Sequence, residues 1–70
     1  MKANKQLKWS KNLPIMERRR IILQANDSDI LATAQELQRI ANTTHDENIK
    51  LEASKDAKFF ITQYYSRIKK

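Results

Sequence analysis

The sequence contains no cysteine and no glycine, and it has a single proline, Pro14. Without cysteine there is no disulfide to stabilise a small fold and no thiolate to hold a metal. Without glycine, the phosphate-cradling loops of nucleotide-binding folds are excluded, because they need backbone that approaches phosphate without a Cβ. Tight β-turns also rely on glycine and proline, so the composition disfavours sheet structure. Long apolar runs are missing as well: the longest aliphatic stretch is Ile21-Ile22-Leu23. A membrane span needs about 20 apolar residues and a signal-peptide core at least 7. A cytoplasmic protein with no membrane contact is therefore expected. Seventy residues allow one domain, which buries only about 60% of the surface that its unfolded chain exposes. With so thin a core, self-association as a homodimer is left open as a further source of stability.

What is present is charge, unevenly placed. The net charge of +6 resolves into +6 over residues 1–20, −4 over residues 21–57 and +4 over residues 58–70. Basic ends around an acidic middle fit phosphate contact by counterion release. They also fit docking on an acidic protein surface, or on the acidic middle of a second copy. Plain solubility is the remaining reading.

Residues 1–12 lack a sustained apolar period and read as a basic arm, followed by a three-helix domain over residues 13–70. Trp9 lies in the arm between Lys8 and Lys11. It folds back to close the bundle, as large aromatics tend to, or it stacks on bases between flanking cations, or it belongs to a protein interface.

The first helix is expected from about Leu13 to Ala25, with Asn12 as N-cap and Pro14 in its first turn. Ile15, Met16, Ile22 and Leu23 form a narrow apolar stripe. Arg18, Arg19 and Arg20 fan across about 200° of the same helix. One of them must lie beside the stripe, its stem covering the core edge and its head reaching solvent. Asn26 is expected to take the left-handed position that ends the helix, with Asp27 or Ser28 capping the next.

The second helix spans about Ser28 to Ala41, with Ile30, Ala34, Leu37 and Ala41 facing inward and Leu31 and Ile40 widening the stripe. Thr44-His45-Asp46-Glu47 matches a capping box in which Thr44 and Glu47 bond reciprocally to backbone N–H groups. The third helix then runs from about His45 to Ile68, roughly 36 Å at 1.5 Å per residue. Ile49, Ala53, Ala57, Phe60, Ile61, Tyr64 and Ile68 form its inner stripe. Because it is longer than the first two helices, its end is expected to overhang them. Phe60, Tyr64, Tyr65 and Ile68 there form the candidate interface, covered by the arm with Trp9, by a second copy or by a partner.

From Ala34 the chain shows Ala34, Leu37, Ile40 and Ala41, then Asp46, Glu47, Ile49, Lys50, Leu51, Glu52, Ala53 and Ala57. This spacing resembles the HEAT-like helical hairpin of phage terminase small subunits and related DNA-packaging proteins, over about 25 of the 70 residues. The resemblance implies an α-hairpin, oligomerisation and DNA contact by a neighbouring segment. The helix-turn-helix reader of such proteins has no clear counterpart in the 33 residues before the hairpin, so any binding is expected to tolerate sequence.

Catalytic constellations are not expected. His45 is the one histidine, beside Asp46 in a turn. Asp46-Glu47 belong to a helix start rather than to an acid–base pair. Ser10, Ser28, Ser54 and Ser66 have no base at an evident spacing. No cofactor, metal or small-molecule substrate is expected. The sequence reads as an all-α, non-enzymatic binding protein. Its expected nucleic-acid contacts are Lys5, Lys8, Trp9, Lys11, Arg18, Arg19, Arg20, Arg67, Lys69 and Lys70, with DNA favoured over RNA. The alternative is a protein-interaction module, an inhibitor, adaptor or assembly factor, acting through the third helix.

Overall fold

A computed structural model describes residues 8–68. The expected sites Lys5, Lys69 and Lys70 lie outside the described residues. The fold is all-α: α1 (Ile15–Ala25), α2 (Ile30–Thr43) and α3 (Glu47–Ile68). There are no strands among the described residues.

Each helix begins later than the sequence suggests, for an identifiable local reason. Leu13 precedes a proline, and the clash with the proline ring keeps such a residue out of the helical region. Pro14 is itself extended (φ −55°, ψ 146°) and stands as N-cap, its carbonyl taking the Arg18 N–H at 2.9 Å. Asn12 does not cap; its N–H donates to Ser10 Oγ at 3.2 Å, and the Leu13 N–H donates to the Ser10 carbonyl. A turn over residues 10–13 thus feeds α1.

At the other end of α1, the Ser28 N–H donates to the Leu23 carbonyl at 2.9 Å and the Asp27 N–H to that of Gln24 at 3.1 Å. This is the Schellman arrangement, and its left-handed position falls on Asp27 (φ 56°) rather than on Asn26 (φ −108°). Ser28 is left-handed too, at φ 63°. In a chain without glycine, both residues carry a Cβ that disfavours this conformation. Asn26 instead spends its side chain on the Ile22 carbonyl (3.0 Å) and Glu36 Oε1 (3.2 Å). With Asp27 and Ser28 left-handed, neither caps α2. Asp29 does so, its Oδ1 accepting the Ala32 N–H at 3.0 Å.

The expected Thr44–Glu47 capping box is replaced as well. Asp46 Oδ1 accepts from the N–H groups of Asn48 (2.8 Å) and Ile49 (3.2 Å), while Thr44 Oγ1 accepts only from the Asp46 N–H (3.1 Å). A carboxylate is the stronger acceptor at a positive helix end, and it sets the start of α3 at Glu47.

α2 and α3 form the closely packed pair. Ala34 and Ala41 on α2 meet Ala53 and Ala57 on α3, small side chains that admit close approach, with Leu37 and Phe60 filling the space between. Ile22 of α1 completes the buried cluster, and Trp9, Leu23, Ile30, Ile40 and Ile61 pack on it from the edges. Trp9 therefore closes the bundle, so residues 8–12 belong to the folded unit. α1 comes much less close to its neighbours along the backbone. The helices measure about 16, 21 and 33 Å by their 11, 14 and 22 residues, so α3 extends well beyond α2, as expected.

Candidate functional site

The inner face of α3 holds a residue that its apolar stripe conceals. Asp56 is fully buried, one turn from Ala53 and from Phe60. An ionised carboxylate in such surroundings is costly unless donors surround it. Here they do. Oδ2 accepts from Trp9 Nε1 (2.8 Å) and Arg18 Nε (2.6 Å), and Oδ1 accepts from Arg18 Nη2 (3.0 Å) and Arg19 Nε (2.8 Å). Four donors fill the acceptor positions of the carboxylate.

Arg18 also bonds Glu52 Oε1 at 2.8 Å, and Glu52 in turn takes Lys55 at 3.4 Å. Two aromatic rings cover the cations: the Arg18 guanidinium lies 5.7 Å from the Trp9 centroid, and that of Arg19 lies 4.2 Å from the Phe59 centroid. Burial by itself would favour the neutral form of Asp56. The hydrogen bonds from Arg18, Trp9 and Arg19 outweigh it and hold the carboxyl below its ordinary range. Bonding to Arg18 holds Glu52 down in the same way, and the bond to Asp56 raises Arg18.

This network revises the expected phosphate-contact set. Arg18 does lie beside the apolar stripe, but its head turns inward to Asp56 instead of snorkelling out, leaving the residue 2% exposed. Arg19 is half-buried with its Nε on the same carboxylate. Trp9 turns its polar edge to Asp56 and its ring to the core. All three are committed to the fold. Arg20 remains in solvent, paired with Glu17 at 3.1 Å, Lys8 is exposed, and Lys11 is half-buried.

The expected interface divides similarly. Phe60 is a core residue, 3% exposed, and Tyr64 is half-buried, whereas Tyr65 and Ile68 stand out in solvent. Trp9 does not cover this overhang, since its partner Asp56 lies three turns before Ile68.

Sequestering Asp56 and tying Glu52 to Arg18 has a consequence for the outside of α3. From Asn48 to Ile68 its exposed residues include Lys50, Lys55, Lys58 and Arg67 and no acid. Leu51, Phe59 and Tyr65 are exposed among them. A second feature is an open groove between α1 and α2, floored by Ile21, Ile22 and Ile40, walled by Trp9, and rimmed by charges of both signs.

Among the described residues, no three histidine or acidic side chains gather as a metal-binding group, and no helix is long and apolar enough to cross a membrane. Asp56, enclosed and fully bonded, has no free lone pair to offer a substrate. Comparison with models of known families, with characterised proteins and with solved structures gave no match.

Proposed function

We propose that this chain is a non-catalytic, cytoplasmic module that binds nucleic acid through backbone phosphates with little sequence preference. The observation that supports this reading best is the solvent side of α3, where Lys50, Lys55 and Lys58 stand and no acid is exposed from Asn48 to Ile68; Arg67, in register with Phe60, adds a cation on the overhang. Tyr65 stands on the same side of the helix, 56% exposed, as stacking residues do in proteins that bind single strands. The sequence adds Lys2, Lys5, Lys69 and Lys70 at its ends, with no acid beside them. The contact surface is thereby moved from α1 to the outside of α3, with Lys8 and Arg20 as additional exposed cations. DNA is the favoured nucleic acid because residues 34–57 resemble the hairpin of DNA-packaging proteins.

The test is fluorescence anisotropy of a labelled mixed-sequence oligonucleotide, double- and single-stranded, at about 50 and 200 mM salt. Neutralising about four phosphates predicts an affinity loss of roughly two orders of magnitude between those conditions. Absence of binding at the lower salt overturns the proposal.

A second reading is favoured by the exposed apolar residues of the same helix. Leu51, Tyr65 and Ile68 are each more than half exposed, at 57%, 56% and 58%. They suit a protein-interaction module that presents the outer face and end of α3 to a partner. On that reading, Tyr65→Ala or Ile68→Ala abolishes partner capture or self-association and leaves helix content intact; unchanged assembly in both variants rules it out.

A further inference from the structure

The turn joining α1 to α2 holds two residues in succession, Asp27 and Ser28, in the left-handed region at φ 56° and 63°. They are the only non-glycine residues with positive φ among the described residues. One such residue at a helix end is ordinary. Two together, each with a Cβ, make a connection that is better relaxed in an extended or helical form.

The helix that this turn folds back is also the least embedded of the three. Its backbone stays away from α3, and its attachment runs through side chains: Arg18 and Arg19 to Asp56, Ile22 and Leu23 on the core, and Asn26 at its end to Glu36. The surface that receives it is compact and particular: a sequestered carboxylate at Asp56, Glu52 beside it, and an apolar wall of Ala34, Leu37 and Phe60. An α1 released into solvent would leave Asp56 without its cations, a state that is strongly disfavoured.

We propose that α1, with the Trp9 segment, exchanges between two copies of this chain. Asp56 of each copy is then clasped by Arg18 of the other. Exchange opens residues 26–29, removes both left-handed conformations, and restores in trans the contacts of Arg18, Arg19 and Ile22. No proline or glycine stands between Ile15 and Thr43, so the opened turn is free to run as helix and join α1 to α2. The occupant is a second copy because the complement of the Glu52–Asp56 surface is this chain's own Ile22, Arg18 and Arg19 face. The exchange is independent of any nucleic-acid or partner binding.

Sedimentation of the full chain, refolded over a wide range of protein concentration, is the first measurement. A dimer that grows with concentration without loss of helix content is expected. Asp27→Gly with Ser28→Gly relaxes the closed turn, and is expected to weaken dimerisation by about tenfold or more while keeping the monomer folded. Two further variants distinguish exchange from an ordinary surface contact. Arg18→Met takes two of the four hydrogen bonds from Asp56, Asp56→Leu leaves Arg18 buried without its main partner, and both fold poorly alone. Refolded together, they can form one native α1–α3 pairing and one that is apolar at both substituted positions, so the mixture regains helix content as a heterodimer. A chain that stays monomeric at every concentration overturns the proposal. So does a dimer that the glycine variant does not weaken, or a mixture no more helical than its components.

Discussion

The indole N–H of Trp9 donates to the Asp56 carboxylate at 2.8 Å across 47 residues of sequence. That bond ties the segment before α1 to the middle of α3, and it shares its acceptor oxygen with Arg18. A buried hydrogen bond to a charged group is worth about 1.5–3 kcal/mol. Trp9→Phe keeps an aromatic body and removes the donor, so urea denaturation is expected to show a loss of about that size. The fold is refuted at this point if the variant is as stable as the parent. Since Trp9 is the only tryptophan, its fluorescence in the parent protein reports this docking directly.

The Arg18–Asp56 pair is expected to behave as a unit. Removing Arg18 takes two of the four donors from Asp56, and removing Asp56 leaves Arg18 buried without it; Arg18→Met or Asp56→Leu alone is expected to cost about 3–5 kcal/mol. Making both changes replaces the pair by apolar side chains and is expected to cost less than either single change. Circular dichroism of the three variants during thermal unfolding decides this. Single changes that merely add in the double variant would mean that the pair is not coupled.

How much of this was legible in the sequence differs by element. The three helices and the overhang of α3 follow from apolar spacing, and the α2–α3 contact follows from Ala34, Leu37, Ala41, Ala53 and Ala57. The helix starts were misplaced because Ser, Asn, Asp and Thr cluster at every boundary, and any of them can cap. Only backbone geometry decides that Asp27 is left-handed while Asp29 and Asp46 cap. The core network is masked in the sequence because Asp56 stands among the other acids of the middle segment. A signal was present: Ala53, Asp56, Ala57 and Phe60 share one helical face, and an acid on that face requires a cation. The adjacent arginines of α1 were the available donors, so their number reflects the interior of the protein as much as its surface.

Acid should weaken the fold in a defined window. Asp56 and Glu52 are both held below their ordinary values of 3.8 and 4.5. A carboxyl depressed in the folded state stabilises it fully above its unfolded value, and that contribution is lost as the pH falls through the folded one. Stability is therefore expected to decline once the pH drops below about 4.5, and to continue declining below 3.8. Comparing urea midpoints of the parent and of Glu52→Gln between neutral pH and pH 3 isolates part of the effect. The variant should lose less on acidification, and an identical loss would show that Glu52 takes no part.

The cations on the outside of α3 and those beneath it should separate in a binding measurement. Lys58 is exposed and has no acidic partner among the described residues, so Lys58→Glu is expected to leave stability within about 0.5 kcal/mol. If the α3 face meets phosphates, that substitution removes one contact and adds a repulsion. Affinity for DNA should then fall, and the slope of log affinity against log salt should shrink by about 0.9 or more. Lys50→Glu should act in the same direction from the other end of the face. Arg20→Glu, on α1 and away from that face, should have a smaller effect. Equal losses from all three would point to a diffuse basic field with no preferred face, and the phosphate surface would then have to be sought in the lysines at the ends of the chain. A loss confined to Lys50 and Lys58 would place the nucleic acid along the outer side of α3, where no acid is exposed between Asn48 and Ile68.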